Sequence, residues 1–163
     1  MSKQFSAIYP GSFDPVTNGH LDIIDRSRSK FDLVIVAVLV NLDKKPFFAT
    51  EERVEMLRNA TEKWDNVEVD TFEGLLVNYA REKEAQVILR AIRAVTDYEY
   101  EFQMALMNRR MEPDVETIFM VPAEKYSYLS SRLVKEIALL GGDVSGLVPP
   151  AVEGSLKKKT RSV

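Results

Sequence analysis

The chain has no cysteine, one histidine and one tryptophan in 163 residues. Without thiols there is no disulfide, no thiol nucleophile and no thiolate metal site, which suits a reducing compartment. A single histidine leaves a zinc site of the usual His-rich kind without ligands. Long apolar runs are missing too. The longest, 33–40, falls far short of the roughly 20 residues that a helical membrane span needs, and no cationic-then-apolar leader opens the chain. Basic charge is not in excess, since 22 Lys and Arg face 25 Asp and Glu for a net charge of −3, with a pI near 5.3. That excludes a general nucleic-acid binder. The expectation is a cytoplasmic protein with neither nucleic acid nor membrane as partner. The one basic concentration, Lys157-Lys158-Lys159-Thr160-Arg161, reads as part of a flexible tail over 157–163.

What is present is enough apolar material, 45% of residues, for a single core and a single domain over 1–163. Short β-branched runs predict strands at 5–9, 33–40, 67–71, 87–89 and 117–121. The second has no polar face, as a strand covered on both sides of a parallel sheet requires. Amphipathic stretches lie between the strands. One follows Thr50 as N-cap, with Glu51 and Glu52 in its first turn. Leu75, Leu76, Tyr79 and Ala80 mark the next. Tyr98, Phe102, Ala105, Leu106 and Arg109 share one side of the fourth, where Met104, Met107 and Met111 read as helix packing. A fifth opens at Ser130 and stops at Gly141-Gly142, and a short one comes after Pro149-Pro150. Repeated strand–helix–strand order predicts right-handed crossovers and a Rossmann-like, doubly wound α/β fold around a parallel five-stranded sheet.

The segment Tyr9-Pro10-Gly11-Ser12-Phe13-Asp14-Pro15-Val16-Thr17-Asn18-Gly19-His20 joins the first strand to the first helix and holds the only histidine. Such a junction presents backbone N–H groups and a positive dipole end to a phosphate. It is neither a Walker A loop nor a Gly-x-Gly-x-x-Gly fingerprint, and on its own it equally suits ordinary turn chemistry. The ends of the other strands make the case. Asn41 to Pro46, with Lys44 and Lys45, comes after the second strand; Arg90 and Arg93 come after the fourth; Ser127, Ser130, Ser131 and Arg132 come after the fifth. In an open parallel sheet, ligands bind outside the carboxyl ends of the strands. Four of the five strand ends in this acidic chain therefore bring phosphate-compatible donors to one edge, which predicts a polyphosphate-binding crevice.

On the motifs at 9–20, Lys44-Lys45-Pro46, Arg90 to Glu101, Asn108-Arg109-Arg110-Met111 and Ser130 to Glu136, the chain resembles the bacterial phosphopantetheine adenylyltransferase family of the nucleotidylyltransferase superfamily. Thr17-Asn18-Gly19-His20 and the Ser-Ser pair mark the superfamily, and the blocks at 90–101 and 108–111 narrow it. The resemblance implies transfer of the adenylyl group of ATP to 4′-phosphopantetheine, giving 3′-dephospho-coenzyme A and pyrophosphate. The catalytic set it implies is Ser12, His20, Lys44 and Arg90, with His20 as the ATP-phosphate and transition-state ligand. Further ATP contacts would come from Ser12, Phe13, Ala91, Ile92, Arg93, Glu101 and the run Tyr126, Ser127, Tyr128, Leu129, Ser130, Ser131, Arg132. The acceptor would be held by Ser12, Lys44, Leu76 and Arg90.

The family also implies Mg²⁺ carried with ATP and no protein metal ligand, a homohexamer of two trimers, and coenzyme A as a feedback inhibitor. Two departures stand out: Ala91 where relatives often carry Gly, and Asn41-Leu42-Asp43 ahead of Lys44 where relatives often have Asn-Pro-x. Rival readings are an adenylyltransferase for nicotinamide or nicotinate mononucleotide, a cytidylyltransferase for an alcohol phosphate, and a non-catalytic ATP-binding module.

Overall fold

The computed structural model describes residues 4–41 and 45–161. Five parallel strands form one sheet, β1 (Ser6–Gly11), β2 (Leu33–Leu39), β3 (Val67–Phe72), β4 (Val87–Ala91) and β5 (Glu116–Met120), in the order β3-β2-β1-β4-β5. The helices are α1 (Asn18–Arg28), α2 (Thr50–Thr61), α3 (Leu76–Glu82), α4 (Val95–Met111), α5 (Ser131–Leu139) and α6 (Pro150–Thr160), with a short 3₁₀ turn at Glu124–Tyr126. The five expected strands are all present, with ends shifted by one or two residues. From β1 the chain moves outward to β3, then returns to pair β4 with the other side of β1. The order reverses between β1 and β4, so the crevice of a doubly wound sheet opens beyond their carboxyl ends.

Alternation along the strands divides the core. Ala7, Tyr9, Val34, Val36, Val38, Val87 and Leu89 face one layer, where Ile23 and Ile24 of α1, Leu57 of α2, Val134 of α5 and Val152 and Leu156 of α6 pack against them. Ile8, Ile35, Ala37 and Ile88 face the other, beneath Val77, Tyr79 and Ala80 of α3. Helix α5 stops as Gly141-Gly142 predicts. Gly141 adopts φ 78°, its N–H reaches Ala138 O at 3.1 Å and that of Gly142 reaches Ile137 O at 2.9 Å. A side chain at that left-handed position would be strained.

Three expectations are corrected. Thr50 is the first residue of α2 rather than its cap; Ala49 is the N-cap, and the Glu52 carboxylate accepts its N–H at 2.7 Å. The Thr50 hydroxyl is instead taken by Arg53. The apolar side of α4 is not packed: only Glu101 and Asn108 are buried there, and Tyr98, Phe102, Leu106 and Met107 stand in the open. Where a flexible basic tail was expected, α6 continues through Thr160. Lys157 pairs with Glu153 and Lys159 with Glu52.

Candidate active site

The loop after β1 is fixed from three sides. Both oxygens of the buried Asp14 carboxylate accept backbone N–H groups across the domain, from Phe47 and Phe48 at 2.8 Å each. Lys135 of α5 approaches Asp14 at 3.3 Å, and Ser131 Oγ donates to Pro15 O at 2.7 Å. Asn18 ties the start of α1 to the α5–α6 connection through Gly146 O and Leu147 O. Asp14 thus clamps the segment just beyond Lys44 onto the loop that carries Ser12. Lys44 itself lies outside the described residues, and Lys45 is exposed.

Helix α1 opens with a capping box in which histidine takes the third helical position, usually Glu or Gln. Thr17 Oγ1 accepts the His20 N–H at 3.3 Å, and His20 Nδ1 accepts the Thr17 N–H at 3.0 Å. Because a backbone N–H can only donate, Nδ1 must be an acceptor. The neutral ring therefore carries its proton on Nε2. Burial, and second the Arg93 guanidinium, lower the His20 pKa from 6.5 to about 4. At neutral pH the side chain is a neutral Nε2–H donor, its ring edge-on to Phe13 with centroids 5.0 Å apart. Tyr9 packs behind Phe13 at 5.4 Å, and burial keeps its phenol protonated. This packing leaves little room at Gly11, where a Cβ would press on the Phe13 ring at 3.1 Å.

A crevice of about 380 Å³ lies over this loop. From the expected set it is lined by Ser12, Phe13, His20, Arg90, Ala91, Arg93 and Glu101 on the β1 and β4 side, and by Tyr126, Leu129, Ser130, Ser131 and Arg132 beyond β5. Ile92, Ser127 and Tyr128 are not among its walls; Ile92 continues the backbone pairing to Met120 O, and Tyr128 is exposed. Arg93 bridges the two sides, donating to Leu129 O at 2.8 Å and lying 3.6 Å from Asp97. Ser130 caps α5 through Leu133 N–H. Ala91 is the last residue of β4 and is not at positive φ, so its methyl group adds no backbone strain where relatives carry Gly.

Arg90 closes the crevice on its inner side. Its Nε and Nη2 donate to the two oxygens of Glu101 at 2.7 and 2.6 Å, and Nη1 reaches Pro10 O at 3.3 Å. Three of its five N–H donors are engaged, leaving two for a ligand. Arg90 and Glu101 also line a second cavity of about 270 Å³, so the two cavities share a wall. The second is apolar: Leu39, Phe72, Leu75 and Leu76 form one side, and Met104, Ala105 and Met111 of α4 the other. Met104 and Met111, read from sequence as packing, are therefore cavity walls. Asn108 also lines it, 6% exposed and with no side-chain hydrogen bond among the described residues. Sequence reasoning missed Tyr9, Thr17, Asp97 and Asn108. All four fall inside the motifs that carry the resemblance, but none was singled out within them as a site residue.

The chain is similar to known nucleotidyltransferases along almost its whole length. The cytidylyltransferase-like family model matches residues 8–137. A phosphopantetheine adenylyltransferase of Desulfosudis oleivorans is 55% identical over 94% of this chain and 91% of its own. Those of Carboxydothermus hydrogenoformans and Clostridium botulinum are 54% and 51% identical, covering 94% and 95% of this chain and 94% and 98% of theirs. A crystal structure from Vibrio parahaemolyticus assigned as a nicotinate-nucleotide adenylyltransferase superposes with a TM-score of 0.75 at 17% identity, over 99% of this chain and 98% of that one. At that identity it shows a shared fold only. The chain belongs to the cytidylyltransferase-like nucleotidyltransferases and, among them, to the phosphopantetheine adenylyltransferase family.

Proposed function

We infer that the protein transfers the adenylyl group of ATP to 4′-phosphopantetheine, giving 3′-dephospho-coenzyme A and pyrophosphate. The observation that carries this reading is the pair of cavities sharing Arg90. One is walled by donors suited to a triphosphate, and the other is an apolar slot suited to an extended arm. An acceptor phosphate at Arg90 would sit where the two meet. Its oxygen, already anionic, attacks the α-phosphorus; the bond from that phosphorus to the bridging oxygen of pyrophosphate breaks, and pyrophosphate leaves with the electron pair. No proton needs removing, so positioned donors do the work. His20 Nε2–H supplies one at the α-phosphoryl group, and Arg90 holds the attacking phosphate.

Mg²⁺ belongs to this reading as part of the substrate. The crevice carboxylates Asp97 and Glu101 are each paired with an arginine, so the donor set suits phosphate oxygens, and the ion would travel on the triphosphate. Asn108, which lines the apolar cavity with no side-chain partner among the described residues, would bond an amide of the arm. Asn108→Leu is expected to raise KM for the acceptor about tenfold, with KM for ATP unchanged in steady-state kinetics. Equal changes in both would remove Asn108 from the acceptor site.

The decisive assay is pyrophosphate release from ATP and Mg²⁺ with 4′-phosphopantetheine or with nicotinate mononucleotide. Release only with the former is expected; release only with the latter would replace the acceptor. Coenzyme A, which carries the same arm, is expected to inhibit competitively with phosphopantetheine. A second proposal concerns assembly as a homohexamer. The open apolar side of α4, with Tyr98 stacked on Phe102 at 5.6 Å, and the exposed Val121 just beyond β5 support association. Light scattering at micromolar concentration should give six times the 18.6 kDa chain mass; a monomer would refute this.

A further inference from the structure

Arg53 of α2 is 3% exposed and has no carboxylate partner among the described residues. Buried guanidinium groups are normally paired, because an unpaired buried charge is costly. Here the donors go to uncharged oxygens: Nη1 to the backbone carbonyls Ser12 O at 2.7 Å and Leu39 O at 3.4 Å, and Nη2 to the Thr50 hydroxyl Oγ1 at 3.0 Å. Nε has no partner among the described residues. The side chain therefore clamps the carbonyls at the ends of β1 and β2, and no carboxylate among the described residues neutralises its charge.

The neighbouring residue Phe13 explains what the clamp is for. Phe13 has φ 46°, a left-handed conformation that is unfavourable for a non-glycine residue and usually persists only where surroundings enforce it. Its ring is locked between Tyr9 and His20. Its N–H has no hydrogen-bond partner among the described residues. In a planar trans peptide the C=O and the N–H of the same unit point in opposite directions. With the Ser12 carbonyl held down onto Arg53, the Phe13 N–H is turned away from α2, on the side where Ser12 and His20 line the crevice.

We propose that Arg53 is a positioning residue that fixes the Ser12–Phe13 peptide so that the Phe13 N–H faces a phosphate group of the nucleotide. This rests on the reading of the crevice as an ATP site and adds a residue to it that touches no substrate. Arg53 acts twice, by orientation through Ser12 O and by placing a buried positive charge behind the loop that receives the polyanion.

The test compares ATP with adenosine, which lacks the phosphates, by calorimetry. Arg53→Met is expected to weaken ATP roughly tenfold or more, the worth of a hydrogen bond to a charged group, and to leave adenosine within about twofold. Arg53→Lys, which keeps the charge but loses the forked donor geometry, is expected to fall between wild type and Arg53→Met, and decides the matter if Arg53→Met does not fold. In the wild type, the Phe13 amide proton should move downfield on adding ATP or pyrophosphate and stay in place with adenosine. Equal losses of ATP and adenosine in the variants, or a Phe13 amide indifferent to ATP, would overturn the proposal while leaving the ATP site intact. A wild type that binds no ATP would overturn the site itself and the proposal with it.

Discussion

Replacing His20 by alanine is expected to lower kcat by about 100-fold or more while changing ATP affinity by less than about tenfold, because a donor aimed at transition-state charge acts mainly on turnover. The geometry behind this is specific. Nδ1 is committed to the Thr17 N–H, so Nε2–H is the one ring donor left to the crevice. His20→Gln restores the capping box and should recover the stability lost in His20→Ala without recovering full turnover. Comparable kcat in wild type and both variants would leave His20 a cap and nothing more.

The protonation state can be read directly, since this is the only histidine in the chain and its ring gives a single titrating nuclear-magnetic-resonance signal. That signal should stay neutral through pH 5.5 and move only near 4; a midpoint near 6.5 would contradict it. The same shift sets a sign for stability. The folded value lies below the unfolded one, so between these pH values the unfolded chain takes a proton that the native site refuses. This contribution is complete above about pH 6.5 and is lost as pH falls toward 4. In His20→Gln that part of the stability profile should flatten.

Arg90→Met is the second large effect, and it should act on stability and on acceptor use together. It strands the Glu101 carboxylate, whose side chain is only 11% exposed; removing one partner of such a pair costs on the order of 3 kcal/mol. It also removes the two free donors at the junction of the cavities, which should lower kcat/KM for phosphopantetheine about 100-fold, a loss of charge-assisted phosphate bonds. Arg90→Met with Glu101→Leu separates the two consequences. Urea unfolding should show much of the stability regained, because a matched apolar pair replaces a buried ion pair at little cost, while acceptor use stays lost. Recovery of acceptor use in the double variant would reduce Arg90 to a counter-ion for Glu101.

The sequence by itself determined what local chemistry and period determine. The unbroken apolar character of 33–40 marked a covered strand, Ser130 and Gly141-Gly142 bounded α5, and the alternation of strands and helices implied a parallel sheet. The same alternation put donors at the strand ends, and the motifs around His20, Arg90 and Ser130 carried the resemblance to the family. Tertiary structure decided the rest, because it depends on groups distant in sequence. Strand order brought β1 and β4 side by side and so placed Ser12 and Arg90 on one crevice. Burial beside Arg93 and the bond from Thr17 set the proton of His20. Met104 and Met111 became cavity walls because α3 and the end of β3 stand opposite them, and a helical pattern cannot tell a packed face from a lined one. Arg53 belongs to none of the motifs and was not singled out from the sequence. Only folding put it under the Ser12 carbonyl, since the contact spans 41 residues and is made to backbone, which carries no sequence signal.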